Sequence, residues 1–220
     1  MTAEMPRISP AGSGALLLDG ACGPFQDAIQ QRVWAVANAA LALEGVREAV
    51  PGMNNLLVLF DPLLTDAPSI GERLRSLWLN AEAAAVSGTH HTISVTYGGQ
   101  RGEDLTAWAE HCGLSVEEAV TRHAKPAYTV AAVGAMPGFP YLSGLDPKLA
   151  WARRATPRFK VAEGAVIIGG TQAGIMPMTA PSGWHIIGHT DVKLFDASAE
   201  PAVLLKPGDT IRFAIADITT

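Results

Sequence analysis

Residues 127–144 read AYTVAAVGAMPGFPYLSG: an apolar run, then Gly134 and the Pro137-Gly138 turn pair, then a second short run closed by Gly144. Helical periodicity is lost from Ala127 onward. Further short runs at 165–168, 192–195, 203–205 and 210–215 are likewise divided by turn residues. This texture predicts a closed or nearly closed β-barrel over residues 127–220.

Working back toward the N-terminus, the pattern changes. Residues 15–18 form a short apolar run ending at Asp19-Gly20, and Phe25, Ile29, Val33, Val36, Ala40 and Leu43 then recur at helical steps until Gly45. Two strands at 46–50 and 55–60 are separated by Pro51-Gly52. A second helix is signalled by the Ser69/Glu72 capping-box spacing and by Ile70, Leu74, Leu77 and Ala81 on one face. Residues 93–97 then alternate as a strand. The order β, α, β, β, α, β is the split βαβ pattern of ferredoxin-like folds, assigned to residues 1–97. Residues 98–126 read as a helical connection, with one helix opening near Asp104 and one capped by Ser115 and Glu118. The fold class expected is α+β.

Composition narrows the function. The 220 residues are 48% hydrophobic and 17% charged, enough for a real core, and the net charge of -5 disfavours nucleic acid and anionic membranes as partners. Apolar runs are too short to span a bilayer, and residues 1–10 do not read as a signal peptide, so a cytoplasmic address is expected by default. Cys22 and Cys112 read as reduced structural thiols. There is no G-x-x-x-x-G-K-[ST] loop, no H-E-x-x-H and no G-x-S-x-G elbow. His90 and His91 are adjacent on a strand and face opposite ways, so no metal site is expected. Charge is uneven: residues 148–190 hold Lys148, Arg153, Arg154, Arg158 and Lys160 against Glu163 alone, a local excess that an anion would meet first.

The chemistry-bearing loops lie in the second half: MPGFPYL at 136–142, RRATPR at 153–158, GGTQAGIMP at 169–177, APSGW at 180–184 and IGHT at 187–190. Together with Tyr97-Gly98-Gly99, Asp104-Leu105 and the 113–118 segment, they resemble the family of B-type 5-oxoprolinase subunits, also known as allophanate hydrolase subunit 1 or KipI-like. Its pattern runs P-G-F-x-Y-L, P-R-R-x-x-P-R, G-G-x-Q-x-G-I-Y-P, S-P-G-G-W and I-G-R-T. The resemblance covers nearly the whole chain. It implies a cyclophilin-like barrel for the second domain. Where the family commonly has Phe, Tyr, Gly and Arg, this chain has Ala135, Met176, Ser182 and His189, and Ala152 replaces a proline.

Candidate site residues follow from the loops. Arg154 and Arg158 can offer planar guanidinium forks to a carboxylate or phosphoryl group, or else belong to a solvated loop. Gln172, between Gly170 and Gly174, is a candidate catalytic amide for polarising a carbonyl, or part of a plain turn. His123, at a helix C-terminus, is the other catalytic candidate, with dipole capping as the alternative. Gly138, Phe139, Tyr141 and Trp184 are expected to build a substrate wall, or the aromatics belong to the core. His185 and His189 are either acid/base groups or satisfied, half-buried histidines.

The resemblance implies a B-type subunit of an ATP-dependent 5-oxoprolinase, inactive alone, which works with a C-type subunit and an A-type lactam hydrolase subunit on a small anionic amide. ATP would be bound largely by the partners, since no nucleotide loop is visible here. Two alternatives share the resemblance: a KipI-like inhibitor of a sensor histidine kinase, and a carboxyltransferase-like subunit acting on urea or allophanate-type amides.

Overall fold

The structure, a computed structural model, describes residues 5–21, 23–81 and 88–219; Cys22 lies outside them. The chain divides into two compact units, Met1–Ser87 and Gly88–Thr220.

The first unit contains β1 (Arg7–Pro10), β2 (Ala15–Asp19), α1 (Asp27–Ala40), β3 (Val46–Pro51), β4 (Asn55–Phe60) and α2 (Ala67–Asn80), with sheet order β1-β2-β4-β3. Every pairing is antiparallel. Alternation along β2 and β4 sends Leu16, Leu18, Leu56, Val58 and Phe60 to one face, where Val33, Val36 and Ala37 of α1 and Ile70, Leu74 and Trp78 of α2 cover them. The cap of α2 is Asp66, not Ser69: the Asp66 carboxylate accepts from the Ser69 backbone N–H at 2.8 Å, and Pro68 is tolerated in a first turn that lacks intrahelical acceptors.

The start of α1 is capped from a distance. Gln26 makes no side-chain cap, and its backbone N–H donates instead to Asn54 Oδ1 at 2.7 Å. Asn54 Nδ2 returns a bond to the Gln26 carbonyl at 2.8 Å, while the Asn54 backbone N–H donates to Gln30 Oε1 at 2.7 Å. This side chain ties the β3–β4 turn to the helix, with Asn54 itself at φ 56°.

The second unit is a closed barrel of β5 (His90–Gly98), β6 (Tyr128–Val133), β7 (Pro140–Ser143), β9 (Ala165–Gly169), β10 (Gln172–Ile175), β12 (His185–His189) and β13 (Thr210–Thr219), in the order β10-β7-β6-β13-β5-β12-β9. A separate ribbon pairs β8 (Arg158–Val161) with β11 (Ala180–Ser182). The expected runs at 192–195 and 203–205 are not strands and form only an isolated bridge at Phe195–Val203.

Two expectations about organisation change. The strand at 93–97 does not complete the N-terminal sheet; β5 pairs in parallel with β13 and antiparallel with β12. Period-two alternation marks a half-buried strand without saying which sheet it joins, and β1 takes the edge of the first sheet beside β2. Nor are residues 98–126 a mere connection. Helices α3 (Leu105–His111) and α4 (Val116–Ala124) contribute Leu105, Trp108, Ala109, Ala119 and Val120 to the same core as Ile93, Val95, Val130, Ile168 and Phe213 of the barrel. Ser115 and Glu118 close the expected capping box on α4. Among the described residues no helix is long and apolar enough to cross a membrane.

Replacing Asn54 with Gly keeps the positive φ accessible but removes the cap and the amide bonds. We expect a loss of about 2 kcal/mol in urea denaturation, from helix and turn groups left unpaired.

Candidate functional site

Strand β9 is buried along its whole length because both faces are covered. Val166 and Ile168 face the barrel core, whereas Ala165 and Ile167 join Phe139, Val161, Met176, Trp184 and Ile186 in a second cluster on the outer wall. A cleft of about 310 Å³ opens there, lined by Phe139, Tyr141, Arg153, Arg154, Trp184 and the 181–183 backbone, among others.

The aromatic wall is edge-on. Phe139 meets Tyr141 at 5.0 Å and Trp184 at 5.7 Å between ring centroids, at 74° and 90°. Glycine makes the indole's position possible: a Cβ on Gly169 would fall 2.4 Å from the Trp184 ring, and one on Gly174 would crowd Phe139 and Trp184 at 3.1 and 3.3 Å. Arg153 lies over the indole with its guanidinium carbon 5.2 Å from the ring centroid. Arg154 is anchored by its backbone N–H, which donates to the Gly183 carbonyl at 2.7 Å. Its Nε is buried and has no hydrogen-bond partner among the described residues.

Of the residues expected at the site, the structure therefore brings together Arg154, Phe139, Tyr141 and Trp184. Gln172 opens β10 on the same strand face as Gly174, about 7 Å along the strand, beside the wall rather than in the cleft lining. Ala135, Met176 and Ser182, three of the five departures from the family pattern, line the cleft; His189 and Ala152 do not.

Three expected site residues are placed elsewhere. Gly138 is a turn residue at φ 77° pressed against the 194–195 backbone, where a Cβ would lie 3.1 Å from the Leu194 carbonyl oxygen. Arg158 is not part of the cleft lining. Its two terminal nitrogens donate to the Asp104 carboxylate at 3.0 and 2.8 Å, and its Nε lies 2.9 Å from Glu103. His123 is a core residue, 0% exposed, bonded through Nδ1 to Tyr97 Oη at 2.8 Å and stacked on Phe213 at 4.6 Å. The last turn of its helix is at the surface, with Arg122 and Lys125 exposed, but the imidazole turns inward to Tyr97 and Phe213 and is kept neutral by burial, so it does not cap the helix dipole.

Sequence reasoning missed Asp104, Arg153 and the setting of His185. Asp104 also accepts from the Ile186 backbone N–H at 2.7 Å and stands 3.7 Å from Arg154. It opens α3 without capping it through its side chain, so its sequence position masked its role. The Arg153-Arg154 pair was the available signal for Arg153. His185 is stacked 3.6 Å from Trp151 and its Nε2 donates to the Ala152 carbonyl at 2.9 Å, which leaves the Nδ1 lone pair buried and unpartnered among the described residues. Burial pushes its pKa down. Among the described residues no group of three or more His, Cys, Asp or Glu can hold a metal ion.

Residues 6–205 match the family described as carboxyltransferase domain, subdomain C and D. The chain is 42% identical over 190 residues to the B subunit of 5-oxoprolinase from Escherichia coli O157:H7, covering 86% of this chain and 87% of that one. This chain belongs to the family of 5-oxoprolinase B subunits. The Bacillus subtilis (strain 168) member is 31% identical, covering 94% and 91% of the two chains. Among solved structures, TTHA0988 superposes with a TM-score of 0.81 at 34% identity over 94% of this chain, which spans only 40% of that longer one. The Kluyveromyces lactis urea amidolyase structure, at 16% identity and a TM-score of 0.84, covers 99% of this chain and 15% of its own, and shares the fold.

Two substitutions separate structure from site. Arg158→Met strips the partly buried Asp104 of its fork, and thermal or urea denaturation is expected to show a loss of about 2 kcal/mol. Burial holds the His123 imidazole at a pKa of about 3 against an ordinary 6.5. As pH falls, the unfolded chain takes up a proton that the folded chain refuses. The stability this neutral imidazole confers is thus intact above pH 6.5 and lost at about 1.4 kcal/mol per pH unit toward pH 3. Between pH 7 and pH 5 the wild type is expected to lose about 2 kcal/mol more than His123→Phe does in urea denaturation.

Proposed function

We propose that this chain is the B-type subunit of an ATP-dependent 5-oxoprolinase complex, and that the cleft beside Trp184 receives the lactam. The observation that carries this reading is the Arg154 guanidinium: the residue lines the cleft with its side chain 35% exposed, approaches Asp104 only to 3.7 Å, and has a buried Nε–H without a protein acceptor among the described residues. A ligand carboxylate pairs with this under-satisfied guanidinium, and Arg153 adds a second positive charge across the indole. The edges of Phe139, Tyr141 and Trp184 suit a small flat ring. Gln172, outside the cleft lining but on the same face of β10 as Gly174, is in this reading the amide that reaches a lactam carbonyl.

Opening a lactam to glutamate is resisted by amide resonance, and ATP supplies the phosphoryl group that activates it. The residues of this cleft bind and orient the amide. They do not make a phosphate-binding loop, so in this reading the nucleotide is held mainly by the A-type and C-type partners. Similarity to 5-oxoprolinase B subunits over most of both chains supports that assignment, and the 40% share of the longer TTHA0988 chain supports a larger assembly. The same reading takes the barrel as cyclophilin-like, the first unit as a ferredoxin-like variant whose fourth strand is β1, and the complex as cytoplasmic.

In the reconstituted complex, Arg154→Met is expected to lower kcat/KM for 5-oxoproline by about 1.5–3 kcal/mol while the variant chain melts near the parent temperature. Trp184→Leu should raise KM. Parental kcat/KM in both Arg153→Met and Arg154→Met would remove the cleft from the reaction.

A further inference from the structure

Arg101 and His189 play no part in the cleft, yet they meet in a second pocket of about 470 Å³ on the outer wall of the barrel. Its floor comes from strand period: Thr92, Ser94 and Thr96 are the outward residues of β5, alternating with Ile93, Val95 and Tyr97 in the core. Among the described residues these three hydroxyls make no hydrogen bond to another protein group. The floor continues onto β13, whose register shifts between Ile215 and Asp217, so that Ala216 is the extra residue of a β-bulge and lines the pocket. Bulges of this kind re-aim side chains, and here the residue brought in is small enough to leave the space open.

The rim holds a guanidinium with poor partners. Arg101 lies 3.6 Å from Asp191, and the two side chains are 61% and 92% exposed, an ion pair too open to hold firmly. Its other neighbour is His189 Nε2. That nitrogen also lies 3.1 Å from the Glu163 carbonyl oxygen. It cannot serve both: the guanidinium donates and requires a lone pair, whereas the carbonyl accepts and requires an N–H. An anion that draws Arg101 over the hydroxyl floor satisfies the guanidinium and leaves His189 to donate to Glu163. Burial, reinforced by Arg101, pushes the His189 pKa down and keeps the imidazole neutral, so the positive charge of this wall belongs to Arg101.

We propose that this pocket is a second ligand site, separate from the cleft at Trp184, which binds a small oxyanion, phosphate or carboxylate, through Arg101 and the Thr92, Ser94 and Thr96 hydroxyls. Guanidinium and hydroxyl donors on a concave surface match several oxygens of one anionic group at once.

Isothermal titration calorimetry of the full chain with inorganic phosphate and with citrate, at ionic strength matched with chloride, tests this without partner subunits or turnover. Saturable binding is expected, weakened roughly tenfold or more by Arg101→Gln and by Ser94→Leu, which fills the floor from an exposed strand position. Asp191→Asn, which removes the competing carboxylate, is expected to tighten binding. Preference for phosphate marks a phosphoryl ligand and preference for citrate a carboxylate ligand; either upholds the site. Absence of saturable binding to both probes, or equal binding by the wild type and Arg101→Gln, overturns it.

Discussion

The carboxylate of Asp104 is the point on which the working face of the barrel is assembled. It is nearly buried, and its oxygens are shared by both terminal nitrogens of Arg158 and by the Ile186 backbone N–H, with Arg154 close by. A buried carboxylate is tolerated only when such donors surround it. The donors, Arg158 at the start of β8 and Ile186 of β12, come from separate parts of the chain, and the loop at 153–157 adds the Arg154 charge at 3.7 Å. Satisfying one charge therefore registers the arginine loop and the β8–β11 ribbon against the barrel wall. The cleft is the space left between that ribbon and the aromatic loop at 136–141.

Placing the cleft outside the barrel has a packing cause. The barrel interior is filled by side chains from seven strands and two helices, His123 among them, and a small barrel filled in this way has no lumen for a ligand. Strands β9 and β12 also carry apolar residues on the outer face, where Ala165, Ile167 and Ile186 pack with Trp184 and Phe139 as a second, smaller core. Gly169 and Gly174 let the indole lie flat on the sheet, where bulkier residues would hold it off. The cleft surface is thus a thin apolar layer rimmed by arginines.

Polar groups in this chain divide by what water can reach. His123 Nδ1 and Tyr97 Oη are paired in the core, where aromatic rings enclose the imidazole, its Nε2 has no partner among the described residues, and burial keeps it uncharged. Arg154 Nε and His185 Nδ1 are buried beside the Asp104 cluster without protein partners among the described residues. Such groups are costly unless something else completes their bonding, which makes them the more informative feature of the two.

Local structure is legible in the chain: the apolar runs of β2 and β4, the alternation of β5, the stripe on α1, the Ser115 capping box, and the Gly- and Pro-divided runs that mark a barrel. Phe139, Tyr141, Trp184 and Arg154, which line one cleft, also lie in motifs whose spacing is local. What the sequence did not hold was partnership between distant segments. The strand at 93–97 reads the same whether its neighbours are β2 or β13, and the 105–124 helices read the same whether they bridge two units or plug one. Arg154 and Arg158 lie four residues apart, and chain closure gives them different shares of Asp104: Arg158, fifty-four positions from it, grips it with both terminal nitrogens, whereas Arg154 approaches only to 3.7 Å and also lines the cleft. Periodicity records how much of a residue is buried; which charge waits at the other end is set by chain closure in three dimensions.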